Sequence, residues 1–385
     1  MQPFFIFALF FFFAIAYNLL GPLVTSIMET NNLTLSQSGL LVSLLQVGAL
    51  ISILLSLYLI KKLRQTTLLK IGYTVLVVAL ILIGLTSGNA LLFFLYVAIG
   101  FGAFMIDSGS NGALSGDYFE KKELYIPLLH FSYSAGAIVT GYFILPFRGA
   151  TWRIAYVVAG VILALLLILS QIIRPKKGAI AKAEAPIQTE SNLPVLKSRN
   201  FILYTLALML YMGSQQICAT WIPVYTELEL LQSPAIVGTS LTFFWVGIAI
   251  SRLLSGLILQ RGFKPLPLTL WGFLVAGGAL ALLPFASNIV LALILIALCG
   301  FAAGPAIPLY IVETSSWFPK NSAFIAMVYI IAGTVGRMIF PYLTTRLAES
   351  TSLGYALMVS SIMLFVAGVL VLIVKRSGRT ERAPR

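Results

Sequence analysis

Apolar residues run through this chain in stretches of about twenty, parted by short clusters of charge, glycine and proline. About 20 apolar residues carry a helix across the roughly 30 Å hydrocarbon layer of a bilayer, so each stretch reads as a membrane-spanning helix. The pattern predicts six helices, over 4–28, 36–60, 67–87, 91–115, 125–147 and 152–173. Six more follow, over 201–226, 234–260, 265–285, 288–313, 321–344 and 351–374. Between the two sets, 174–200 is too polar to enter lipid, with Pro175, Lys176, Lys177, Gly178, Glu184, Pro186 and Pro194. The expected organisation is an N-terminal six-helix bundle over 1–173, a cytoplasmic linker over 174–200, a C-terminal six-helix bundle over 201–374 and a basic cytoplasmic tail over 375–385. The phenylalanine-rich start lacks a basic leader and is long enough to span, so it is expected to be a retained first helix rather than a signal peptide.

Composition agrees with this reading. Hydrophobic residues make up 59% of the chain and charged residues 10%, against about 25% charged in soluble domains. The net charge of +13 invites a nucleic-acid reading, but its placement along the chain assigns it to orientation, because cytoplasmic loops hold the excess of Lys and Arg. With the N-terminus inside, 20 of the 25 basic residues lie in inner segments: Lys61, Lys62, Arg64, Lys70, Lys121, Lys122, six in the linker, Arg261, Lys264, Lys320, and five from Lys375 onward. Outer loops hold only Arg148, Arg153 and Arg346. Both termini are therefore expected in the cytoplasm, in a plasma or inner membrane, with membrane lipid rather than nucleic acid as the large partner. Cys218 and Cys299 sit in apolar runs and His130 is the only histidine, a set too sparse for a disulfide framework, a zinc site or any metal cofactor. No phosphate-binding loop and no Ser–His nucleophile elbow is visible, so neither an ATP-driven pump nor an intramembrane enzyme is expected.

The two sets of helices match each other at a displacement of about two hundred residues. On helix 2, Gln46, Gly48 and Ser52 answer Trp245, Gly247 and Ser251 on helix 8; Gly100 and Phe101 answer Gly300 and Phe301; Ser134, Gly136 and Tyr142 answer Thr334, Gly336 and Tyr342. Two six-helix halves repeated in parallel are the arrangement of major facilitator transporters, in which solute binds near the midplane.

Polar side chains inside spans are costly and tend to face a bundle interior or a watery path. Helices 3, 6, 9 and 12 carry no Asp, Glu, Asn, Gln, His or Arg in their central stretches and are expected to face lipid, whereas Asn18, Gln46, Asp107, Asn111, His130, Gln215, Gln216, Arg252 and Arg337 lie on the others. At 1.5 Å per residue, Asn18, Gln46, Gln215 and Trp245 fall near mid-bilayer, and Asp107 and His130 roughly 10–15 Å above the inner loop. A carboxylate there can trade its charge for a proton instead of bearing the desolvation cost, so Asp107 is expected to couple protons with His130 assisting. Its competitor is a carboxylate that only ties helices together. Asn18, Gln46, Asn111, Gln215 and Gln216 are expected to meet solute hydroxyls, with interhelical ties as the alternative. Tyr211 and Trp245 are expected to stack on a sugar ring, and Trp221 to anchor at the interface. Arg252 is expected in a structural or gating pair; Arg337 is grouped with it, solute contact left open. Glu29 and Glu313 are expected to be structural.

The segment Tyr211-Met212-Gly213-Ser214-Gln215 resembles the Tyr-x-Gly-x-Gln motif of the fucose–proton symporters of the major facilitator superfamily. Gly102 through Asp107 to Asn111 resembles that family's glycine-rich approach to an acidic residue, and His130, Tyr133 and Gly136 its polar-aromatic stretch on helix 5. Gly256, Gln260, Arg261 and Lys264 are similar to the superfamily's loop signature, with Arg261 in a gating or structural place. The resemblance implies uptake of a monosaccharide with protons, Asp107 coupling and Gln215 a sugar contact; a monomeric twelve-helix carrier working by alternating access is expected, with Tyr133 among the residues that meet solute. Where that family has a second carboxylate on helix 1, this chain has Asn18, which cannot titrate. A proton-antiporting drug or metabolite exporter and a facilitative carrier are the alternatives, and sodium is the alternative coupling ion.

Overall fold

The computed structural model describes residues 1–59, 62–117, 122–173 and 191–377. Of the segments that set orientation and boundaries, 174–190, 378–385, Lys61 and Lys121 lie outside the described residues. The first half of the chain forms α1 (Pro3–Tyr17), α2 (Leu20–Asn31), α3 (Leu35–Leu59), α4 (Gln65–Leu85), α5 (Asn89–Asp117), α6 (Lys122–Phe143) and α7 (Trp152–Ile172). After the short α8 (Leu193–Lys197) come α9 (Arg199–Leu228), α10 (Pro234–Gln260), α11 (Pro265–Leu282), α12 (Ile289–Ala303), α13 (Ala306–Trp317), α14 (Ser322–Ser350) and α15 (Leu353–Ser377). Among the described residues ten helical stretches are long and apolar enough to cross a membrane unaided, and the bent pair α1–α2 makes an eleventh. The 22-residue α6, which contains Pro127, completes the expected twelve.

Two spans differ from their expected form. Helix 1 is broken at Asn18 and Leu19, with α1 and α2 inclined by 42°, because Pro22 has no N–H to offer the Asn18 carbonyl four residues earlier. Helix 10 is broken between α12 and α13 at Gly304 and Pro305. There Pro305 and Pro308 withhold the N–H groups that the Phe301 and Gly304 carbonyls would otherwise accept. The Arg252 Nε–H, arriving from α10, donates to the Gly304 carbonyl at 3.1 Å and replaces the missing partner. The entry to α3 is fixed by a reciprocal capping box: the Gln37 N–H donates to Thr34 Oγ1 at 3.2 Å and the Thr34 N–H to Gln37 Oε1 at 2.9 Å.

The chain forms two compact units, one of Met1–Ala185 with Thr226–Thr242, the other of Pro186–Tyr225 with Phe243–Arg385. In the first, α1 packs on α6 and α7, and α5 on α3 and α4. In the second, α11 packs on α12, α13 and α15, and α14 on α15. The glycines of the internal repeat mark corresponding crossings in the two units. A Cβ on Gly48 would stand 1.9 Å from the Val97 carbonyl oxygen and one on Gly247 2.4 Å from that of Ala297. Likewise Gly100 abuts Leu45 as Gly300 abuts Phe244, and Gly136 abuts Phe11 as Gly336 abuts Met209. Backbones therefore touch backbones, the close approach that small residues permit in lipid. The expected lipid-facing helices present bare apolar surface: Leu85 on α4, Leu165 and Ile172 on α7, Trp271 on α11, Ile362 and Val369 on α15.

Candidate functional site

The break in helix 1 gathers polar groups in the first unit. Asn18 caps α1 with its backbone N–H, and its Nδ2 donates to the Ala14 carbonyl at 2.8 Å and to the Tyr133 hydroxyl on α6 at 3.3 Å. One residue earlier, the Tyr17 hydroxyl accepts from Gln46 Nε2 on α3 at 3.0 Å. Phe10 and Phe13 flank the Tyr133 ring with centroids 5.8 and 5.9 Å away. Asn18 and Gln46 thus have protein partners in this state, and each forms an interhelical tie around the break.

Asp107 is half-buried on α5, and Asn111, one turn further on, donates through Nδ2 to its carbonyl at 2.9 Å and to Oδ1 at 3.4 Å. Its charge bears on the buried Tyr73 phenol of α4. His130 lies on an exposed stretch of α6 beside Phe131, and its carbonyl accepts from Ser134 Oγ at 3.0 Å.

In the second unit the polar residues of α9 converge on a cavity of about 10 Å³, room for about one water molecule. Its wall includes Tyr211, Ser214, Gln215 and Cys218 of α9, Phe244 and Ile248 of α10, and Cys299, Ala303 and Gly304 at the end of α12. Tyr211 stacks on Phe273 with centroids 5.4 Å apart; its buried hydroxyl lies next to the Arg252 guanidinium without a well-formed hydrogen bond. Both arginines bear on it: the fields of Arg252 and Arg337 reach the Tyr211 phenol, that of Arg252 more strongly. The Arg337 Nε–H is buried without a partner. Gln216 points elsewhere, its Nε2 donating along the helix to Thr220 Oγ1 at 3.1 Å. Trp245 is buried edge-on to Phe244 at 5.9 Å, behind the wall rather than in it. Trp221 corrects its expected place at the interface: it is fully buried, because α9 continues seven residues beyond it to Leu228. Glu313 accepts from Trp317 Nε1 at 3.0 Å, and Arg261 is exposed in the turn after α10.

The family profile of the Major Facilitator Superfamily matches residues 6–312 and 226–385. This chain belongs to the major facilitator superfamily. No curated protein matches its sequence. Among solved structures, a bacterial homologue of the human lysosomal transporter Spinster, in an inward-facing and occupied conformation, superposes with a TM-score of 0.79 at 12% identity, over 97% of this chain and 96% of that one. An unoccupied inward-facing form gives 0.78 at 13%, over 99% and 98%. A mutant of the peptide transporter POT gives 0.81 at 13%, over 98% and 95%. At such identities the likeness is one of fold. As a major facilitator protein the chain is a multi-pass membrane transporter of small solutes and not an enzyme.

Sequence reasoning missed Cys218, Phe244 and Cys299 as walls of the cavity, since each is one apolar letter among many. It also missed a fourth glycine crossing of this transporter, Gly72 on Gly102 and Gly272 on Ala302, which the displacement of two hundred residues contains.

Proposed function

We propose that this transporter is a proton-coupled symporter of a small hydroxylated solute of monosaccharide size, working by alternating access in the inner membrane with both termini cytoplasmic. The observation that carries the reading is that Tyr211 and Gln215, the two polar anchors of the Tyr-x-Gly-x-Gln segment, both line the cavity of the second unit. A sugar meets such a wall through hydrogen bonds to its hydroxyls and through aromatic faces, here Tyr211 and Phe244. Sites for small molecules ordinarily enclose about 300 Å³ or more, so the walls part to admit solute and close behind it. Asp107 supplies the group that takes up and releases a proton, and Asn111 holds its carboxylate on one face of α5.

Uptake of labelled monosaccharides into proteoliposomes under an imposed proton gradient tests this. Wild-type protein accumulates sugar when the outside is acidic, and Asp107→Asn abolishes the gradient-driven part while exchange down a sugar gradient persists. Gradient-driven accumulation that survives in Asp107→Asn removes Asp107 from coupling. Loss of cationic dye from loaded vesicles in place of sugar uptake overturns the solute assignment.

A further inference from the structure

Neither arginine beside the cavity forms an ion pair with a described residue. Among the described residues the one ion pair is Arg148 with Glu227, in the first unit. Over 191–225 and 243–377 the sequence offers only two carboxylates, Glu313 and Glu349. Glu313 lies nine residues beyond Gly304, and Glu349 twelve beyond Arg337, about 14 and 18 Å along their helices. Arg252 and Arg337 therefore bring two permanent positive charges into membrane spans with no carboxylate of the second unit's described residues beside them. In hydrocarbon such charges are paired or serve an ion path. The Gly304 carbonyl takes one N–H of Arg252, a neutral partner that leaves its charge uncompensated. The buried Tyr211 hydroxyl, on the wall of the same cavity, has the Arg252 guanidinium as its neighbour but no well-formed hydrogen bond, and the Arg337 Nε–H is unsatisfied. Both guanidinium groups thus bear on Tyr211, which shares the cavity wall with Gln215, and guanidinium forks match carboxylate and phosphate oxygens.

Building on the proposed monosaccharide reading, we infer that the transported solute carries an oxyanion, a carboxylate or phosphate on a hydroxylated skeleton, held by Arg337 and Arg252 with the Tyr211 hydroxyl while Gln215 meets a hydroxyl. Loading the site supplies the missing negative charge and satisfies the unpaired donors, so the loaded second unit is more stable than the empty one.

Thermal unfolding of the purified full chain in detergent, titrated with D-glucose, D-glucuronate, D-glucose 6-phosphate and inorganic phosphate, tests the inference and tells the two oxyanions apart. Glucuronate or glucose 6-phosphate raises the unfolding temperature of wild-type protein well above any effect of glucose. Arg337→Gln weakens that ligand by about 10- to 100-fold, the usual worth of a charged hydrogen bond, and Arg337→Lys recovers part of it. Stabilisation by glucose alone overturns the oxyanion while leaving the sugar reading intact, and acidic-sugar binding unchanged in both variants overturns Arg337 as the group that holds it. Stabilisation by inorganic phosphate with no acidic sugar upholds the oxyanion site and overturns the sugar. No response to any of the four overturns both.

Discussion

Tyr211 concentrates the residue-scale argument. A hydroxyl buried without a well-formed hydrogen bond costs about 1–3 kcal/mol in desolvation, so Tyr211→Phe is expected to raise the stability of the empty protein by about 1 kcal/mol while weakening solute binding. Unfolding in detergent, with and without solute, measures both signs in one experiment; a loss of stability in the empty protein would mean that the hydroxyl already has a partner. Such a site was partly legible. Tyr211, Gln215, Arg252 and Arg337 stand out as polar letters in apolar runs, and the spacing of four puts Tyr211 and Gln215 on one helical face. What the letters do not carry is who stands opposite whom. Gln216 adjoins Gln215 in sequence yet bonds along its own helix to Thr220, and Trp221 lies inside because α9 runs on past it. Asn18 and Gln46 read as solute amides but are engaged by Tyr133 and Tyr17, pairings made across helices more than a hundred and some thirty residues apart in which no local pattern takes part.

At the scale of elements, the backbone crossings make contrasting predictions for the same substitution. Gly100→Ala places a Cβ 1.6 Å from the Leu45 carbonyl oxygen, so α3 and α5 must separate, and overpacking of this kind costs about 1–3 kcal/mol or more. Gly256→Ala on α10 meets nothing within 4 Å and is expected to gain up to about 1 kcal/mol of helix propensity. Chemical unfolding of the two variants side by side checks the contrast. The broken helix 10 offers a second test. Arg252→Gln strips the Gly304 carbonyl of its donor, and Pro308→Ala restores a backbone N–H at the position that should have served it. In a double-mutant cycle on stability the two are expected to couple by about 0.5–3 kcal/mol, the proline replacement offsetting part of the arginine loss. Additive effects would detach the arginine from the break. The spans themselves were readable from apolar length alone. The breaks were not, although Pro22, Pro305 and Pro308 are plain in the sequence, because a proline inside a membrane helix is tolerated with or without a break when neighbours satisfy the freed carbonyl.

At the scale of the whole molecule, composition and repeat sufficed for the fold, and the superfamily's twelve helices follow from them. The grouping of Thr226–Thr242 with the first unit rests on finer contacts. Glu227 pairs with Arg148 and accepts from Thr25 Oγ1 at 2.7 Å, Gly238 lies against Gly141, and Thr242 Oγ1 donates to the Ile138 carbonyl at 2.9 Å. These are small or polar residues whose order along the chain shows no period, so sequence alone does not foretell the grouping. Glu227→Gln leaves Arg148 with the Pro22 carbonyl at 3.2 Å and no opposite charge. For this partly exposed pair the expected loss of stability is about 1–2 kcal/mol, less at high salt; equal unfolding of variant and wild type at every ionic strength would show the pair to be idle. The backbone crossings carry one more implication, for inheritance. Where carbonyl meets glycine, the architecture asks for the absence of a side chain at a handful of points, and elsewhere for little beyond oiliness, which Leu, Ile, Val and Phe supply interchangeably toward lipid. A sequence under that rule can change most of its letters and still trace the same path, as the shared fold of this chain and the Spinster homologue at 12% identity illustrates.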